Sequence, residues 1–121
     1  MLTNIGRKSG LERQVVLEVL YHNKTSGEYY VLSGWGDSSD WFLNIRINPE
    51  VVVNVGGKKL EAIAFQIASE AADSIISKYA YQHPGAFRLL SKRLLGEDLR
   101  ITKTSFEKLA ACLPVVCLQP I

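Results

Sequence analysis

The apolar positions of this chain follow two rhythms, and the change of rhythm near residue 69 divides it. Before that point the pattern is that of strands. Residues 2–5 predict a short strand. Residues 7–10 predict a turn, because Ser9-Gly10 admits left-handed backbone. Residues 14–21 are rich in β-formers (Val15, Val16, Leu17, Val19, Leu20) and read as one strand, which makes a hairpin around the turn. A second turn over 23–27 leads into a strand over 28–33. Residues 34–40 form a glycine-rich polar loop. Asp40 is placed to cap a short helix over 41–47, with Trp41, Phe42 and Ile45 inward and Asn44 and Arg46 off the buried face. Asn48-Pro49 ends that helix. Residues 51–55 and 58–68 predict a hairpin through Gly56-Gly57, its second strand buried on both faces toward the end.

From Ser69 the spacing becomes helical. Ala72, Ile75, Ile76 and Tyr79 share one stripe of a helix running to about Ala80, which His83-Pro84-Gly85 breaks. A second helix over 86–95 sets Phe87, Leu90 and Leu94 on one face, Arg88 and Lys92 on another, and Gly96 ends it. A third covers residues 106–112, and residues 114–118 return to the sheet as a last apolar strand. Strands early and late, with helices between, predict a mainly β, α+β domain. A closed or partly closed barrel with peripheral helices fits better than a doubly wound parallel sheet.

The length of 121 residues and 47% hydrophobic composition suit one domain, residues 1–121. A net charge of +2 gives no case for a nucleic-acid or membrane-surface protein. No apolar run is long enough to span a membrane, and no apolar run follows the first basic residues, so a cytoplasmic protein is expected. Cys112 and Cys117 lack metal or redox spacing and read as two buried thiols. His22 and His83 flank turns without partners at ligand spacing, so no metal site is expected. No nucleophile elbow or carboxylate pair is present, and no residue stands out as a general acid or base.

The chemistry concentrates in two places. Arg7, Lys8, Ser9 and Gly10, closed by Arg13, form a donor set suited to phosphate or carboxylate, against a single nearby acid, Glu12. A solvated turn with ordinary surface charge is the competing reading. Ser33, Gly34, Trp35 and Gly36 let a ligand approach backbone closely beside a flat ring, although packing also explains a lone tryptophan. A cofactor that brings its own chemistry would need little more from the protein than such a grip.

At this point the chain resembles the deazaflavin (coenzyme F-420)-dependent nitroreductases, a branch of the FMN-binding split β-barrel proteins. The resemblance rests on Leu2-Thr3-Asn4-Ile5-Gly6-Arg7-Lys8-Ser9-Gly10 with Arg13, on the segment from Trp41-Phe42-Leu43-Asn44 through Asn48-Pro49-Glu50-Val51, on Gly56, and on Leu113-Pro114-Val115-Val116. It implies a split barrel, a homodimer, and two-electron reduction of a small electron-poor acceptor such as a quinone, enone or nitroaromatic. It places the coenzyme's phosphate and acidic tail on Arg7, Lys8, Ser9 and Arg13, and its phosphate and ring along Ser33, Gly34, Trp35 and Gly36. Trp41 and Asn44 would support that loop. Val16 stands where the family has proline, Glu18 where some members have an aromatic residue, and Trp35 where lysine is common. FMN as the cofactor, or a non-catalytic binding module or structural dimer, are the alternatives.

Overall fold

The computed structural model describes residues 1–32, 39–96 and 99–121, the side chains of residues 94 and 95 excepted. In chain order the strands are β1 (Leu2–Ile5), β2 (Glu12–Val15), β3 (Val19–His22), β4 (Tyr29–Leu32), β5 (Glu50–Val55), β6 (Lys58–Gln66) and β7 (Val115–Pro120). The helices are α1 (Asp40–Ile47), between β4 and β5, and α2 (Ser69–Gln82), α3 (Pro84–Leu95) and α4 (Lys103–Cys112), between β6 and β7. The strands form one antiparallel sheet in the order β2-β1-β5-β6-β7-β4-β3.

That order dictates the shape. The outermost strands, β2 and β3, are consecutive in sequence and joined by Val16-Leu17-Glu18 alone. Four Cα steps reach at most ~15 Å. Flat, a seven-stranded sheet would hold its edges roughly 29 Å apart at normal strand spacing. The sheet therefore curls until its edges approach, and β2 and β3 show no ladder between them among the described residues. The result is the expected split β-barrel, with α2, α3 and α4 outside and α1 set against its interior. The strand expected over 14–21 is instead two strands at opposite ends of the sheet. Its β-forming residues hide the break, which barrel closure imposes rather than local preference.

Two cores follow from the strand alternation. Inward-facing Leu2, Val31, Val51, Val53, Ala62, Ala64, Val116 and Leu118 meet Trp41, Phe42 and Ile45 of α1, which plugs the barrel. Outside, Leu20, Leu32 and Val115 pack against Ala72, Ile76, Tyr79, Phe87, Phe106 and Leu109 of the three later helices. β7 faces both cores, which explains its apolar run. Its return to the sheet is as expected, and it lies between β6 and β4. β6 departs from expectation: its far end is exposed, with Phe65 at 40%. Glu18 on the closing link lies 4.0 Å from Arg93 of α3. Burial, and then Glu18 beside it, push the Tyr79 phenol of α2 above its ordinary range.

The thiols differ from expectation: Cys117 is buried, but Cys112 is exposed at the end of α4. Cys117 donates to Glu28 at 3.3 Å across from Tyr30. Burial, then the hydrogen bond and charge of Glu28, push the thiol from 9.0 up to about 12. Burial, with Cys117 and Glu28 nearby, pushes the Tyr30 phenol from 10.0 to about 12. Both native values are raised, so their contribution to stability is complete below about pH 9 and disappears as pH climbs toward 12. Melting temperature is accordingly expected to fall across that window. At pH 8 iodoacetamide should label Cys112 alone in native protein and both thiols in denaturant, which mass spectrometry reads.

Candidate functional site

The β1–β2 hairpin and the first turn of α1 enclose one cleft of about 700 Å³. That size suits a cofactor-sized ligand. Arg7, Lys8, Ser9, Arg13, Trp41 and Asn44 all line it, so the basic turn and the start of α1 share one cleft. Gly10 does not line the cleft. With φ of 71° it shapes the turn, and its N–H donates to the Gly6 carbonyl at 2.9 Å. Ser33, Gly34, Trp35 and Gly36 lie outside the described residues.

Each part is held by local chemistry. The Ser9 hydroxyl accepts from the Leu11 N–H at 3.2 Å, and the Gly6 N–H donates to the Leu11 carbonyl at 2.8 Å, so the turn is closed from both sides. Gly6 is the floor beneath it: a Cβ there would meet Ser9 Oγ at 2.7 Å and Arg13 Nε at 3.8 Å. The Ser9 and Arg13 side chains therefore come together above a position with no room for a side chain.

α1 begins at Asp40, with Ser39 as its extended N-cap residue, so Asp40 is the first helical residue rather than the cap. Asn48 closes the other end by donating its backbone N–H to the Asn44 carbonyl at 2.8 Å. Trp41 is both core and cleft wall. Asn44, expected off the buried face, is 3% exposed. Its Oδ1 accepts from the Arg7 backbone N–H at 3.1 Å and from Arg7 Nη1 at 2.9 Å. Among the described residues its remaining side-chain partner is Asn4, to which Nδ2 donates at 2.8 Å. Asn4, which the sequence analysis did not single out, is 1% exposed and donates from Nδ2 to the Arg13 carbonyl at 3.3 Å. Its signal was its position: Leu2 and Asn4 alternate onto one face of β1.

Arg7 is three-quarters buried, and its other terminal nitrogen lies 3.6 Å from the carboxylate of Asp40, whose side chain is 90% exposed. A pair so wet contributes little to folding. It does set one negative charge at the mouth of a positive cleft. The cleft thus offers three cations, the serines Ser9 and Ser39 and an apolar wall. That set suits binding of an anionic group attached to a flat body. Among the described residues no cluster of His, Cys, Asp or Glu could hold a metal ion, and no helix is long and apolar enough to cross a membrane.

Fold and site together define a split β-barrel domain with a cationic cleft walled by Trp41. The family model for F420H(2)-dependent quinone reductase matches residues 1–88, and the chain belongs to that family. The matched span includes every candidate site residue. No curated protein matches the chain. Among solved structures it is similar to a protein of unknown function from Agrobacterium tumefaciens, with a TM-score of 0.63 and 13% identity over 98% of this chain. It spans about half, 46%, of that protein's length, and at this identity the likeness concerns fold alone.

Proposed function

We propose that the cleft holds coenzyme F-420 by its phosphate and acidic tail, and that the chain serves hydride transfer to a small electron-poor acceptor, a quinone, enone or nitroaromatic. The observation that supports this reading is the convergence of Arg7, Lys8, Ser9 and Arg13 on one cleft walled by Trp41. When bound, the coenzyme supplies the hydride. Arg7, oriented by Asn44, presents a fixed fork to a phosphate or carboxylate. Lys8, more exposed, supplies a mobile charge. Arg13 extends the cationic rim along β2, where a second carboxylate of a tail would lie. Trp41 and Val15 give the ring an apolar surface and keep water from that side.

Three cations exceed what the single phosphate of FMN needs, and this favours the longer anion. A cytoplasmic homodimer belongs to the same proposal. β2 pairs with β1 alone among the described residues, and Val16 beside it is 82% exposed, which leaves an edge for a second copy. Sedimentation velocity reads the mass.

Fluorescence titration with F-420 and with FMN, separately, tests the cofactor. Micromolar F-420 binding is expected, with FMN weaker by about tenfold or more. Tight FMN binding without F-420 binding overturns the choice. Oxidation of reduced F-420 by a soluble quinone then tests turnover.

Asp40 gives a prediction of opposite sign. Asp40→Asn removes the negative charge at the cleft mouth and frees the outer nitrogen of Arg7. F-420 affinity is expected to rise about two- to fivefold at low salt, and the gain should shrink near 0.5 M salt as screening sets in. Titration at two ionic strengths checks it.

A further inference from the structure

We infer that Asn4 is the positioning residue of the anion site, aligning Arg7 and Arg13 through a two-amide relay; the inference rests on the cleft being a phosphate-and-tail site. The relay runs from the Arg13 carbonyl to Asn4 Nδ2, from Asn4 Oδ1 to Asn44 Nδ2, and from Asn44 Oδ1 to two N–H groups of Arg7. It has one consistent direction. Two donors from Arg7 face Asn44 Oδ1, so the amide nitrogen of Asn44 must point at Asn4. Asn4 must then turn its oxygen to Asn44 and its nitrogen to the Arg13 carbonyl. Turning either amide over would set N–H against N–H and O against O.

Asn4 itself is 1% exposed and does not depend on solvent for its geometry. It sits on β1, paired directly opposite Arg13 of β2. Asn44 sits on α1, and Arg7 in the turn. One side chain therefore ties the strand that carries one cation to the helix that orients the other. A hydrophobic residue at this inward position of β1 would suit the apolar face as well as Leu2 does. What asparagine adds is a donor and an acceptor a fixed distance apart, and both are used.

The test compares ligands. Asn4→Leu is expected to weaken F-420 binding about tenfold while leaving unchanged the binding of the deazaflavin chromophore that lacks phosphate and tail. A merely structural role would weaken both ligands alike and overturn the inference. In an Arg7→Ala background the same change should cost clearly less than about tenfold, since one of the two groups it positions is gone. Full additivity would equally overturn it. Asn4→Leu leaves the amide of Asn44 facing carbon, so Asn4→Ala, which admits water, is made alongside it and carries the same expectations if the first does not fold.

A readout without coenzyme separates this inference from the reading of the cleft. The Arg7 guanidinium N–H signal, identified in ¹⁵N–¹H spectra by its loss in Arg7→Ala, should be protected in the unmodified protein. It should vanish in Asn4→Leu or Asn4→Ala. Protection that survives in Asn4→Leu or Asn4→Ala overturns the positioning role. Failure of F-420 to bind the unmodified protein, with that spectral pattern intact, overturns the coenzyme assignment alone.

Discussion

Replacing Arg7 and Lys8 together with alanine is expected to weaken F-420 binding by about two orders of magnitude and to move the melting temperature by less than about 5 °C. Each cation facing an anion in a partly dry cleft makes charge-assisted hydrogen bonds of about 1.5–3 kcal/mol, and two such losses at the lower end of that range give the hundredfold figure. Folding is spared for a specific reason. Asn44 Oδ1 has two partners on Arg7, and the backbone N–H at 3.1 Å remains when the side chain is cut back. No buried acceptor is orphaned. The lost ion pair with Asp40 is largely exposed and worth little. Fluorescence titration at two salt concentrations, with a melting curve for each protein, checks both halves. Unaltered affinity would remove the anion assignment. A large drop in melting temperature would mean that the turn is structural.

The parts of the molecule legible in sequence are those fixed by local backbone rules. Gly56-Gly57 and Gly10 mark hairpin turns because each has positive φ, which other residues adopt at a cost. His83-Pro84 separates α2 from α3, and Gly96, with φ of 73°, ends α3. The basic turn was legible because Arg7, Lys8 and Arg13 stand in an otherwise balanced chain. What sequence hid was decided by tertiary contact. Residues 14–21 read as one strand because nothing in Val15-Val16-Leu17 marks the point at which the barrel splits. Asn44 reads as outward by its polar type, although positions 41, 44 and 45 form a single helical stripe. Asn4 lies likewise on the inward face of β1. A polar residue on an apolar stripe is placed by its phase rather than by its type. Such residues are the ones that build buried hydrogen-bond networks. Among the described residues every buried side-chain polar atom has a partner.

That network ties the barrel core to the cleft, and a pair of substitutions in the two cores is expected to separate stability from binding. Phe42→Ala and Phe87→Ala each remove a ring that is at most 1% exposed, and each is expected to cost about 3–5 kcal/mol of stability. Their effects on the cleft should differ. Eight residues are too few for a helix to hold itself in water, so α1 depends on Trp41, Phe42 and Ile45 seated among Leu2, Val31 and Val116. Without the Phe42 ring, α1 loses its central anchor and Asn44 loses its fixed place beside Arg7. F-420 affinity, measured on protein that remains folded, should fall about tenfold or more. Phe87 packs edge-on against Phe106 in the outer core, among helices that contribute no residue to the cleft. Its loss should lower the denaturation midpoint by a similar amount and leave affinity within about twofold. Urea unfolding and coenzyme titration on both variants give the comparison. Equal loss of affinity in the two would show that the site senses global stability, and α1 would then not be the element that transmits barrel packing to the cations.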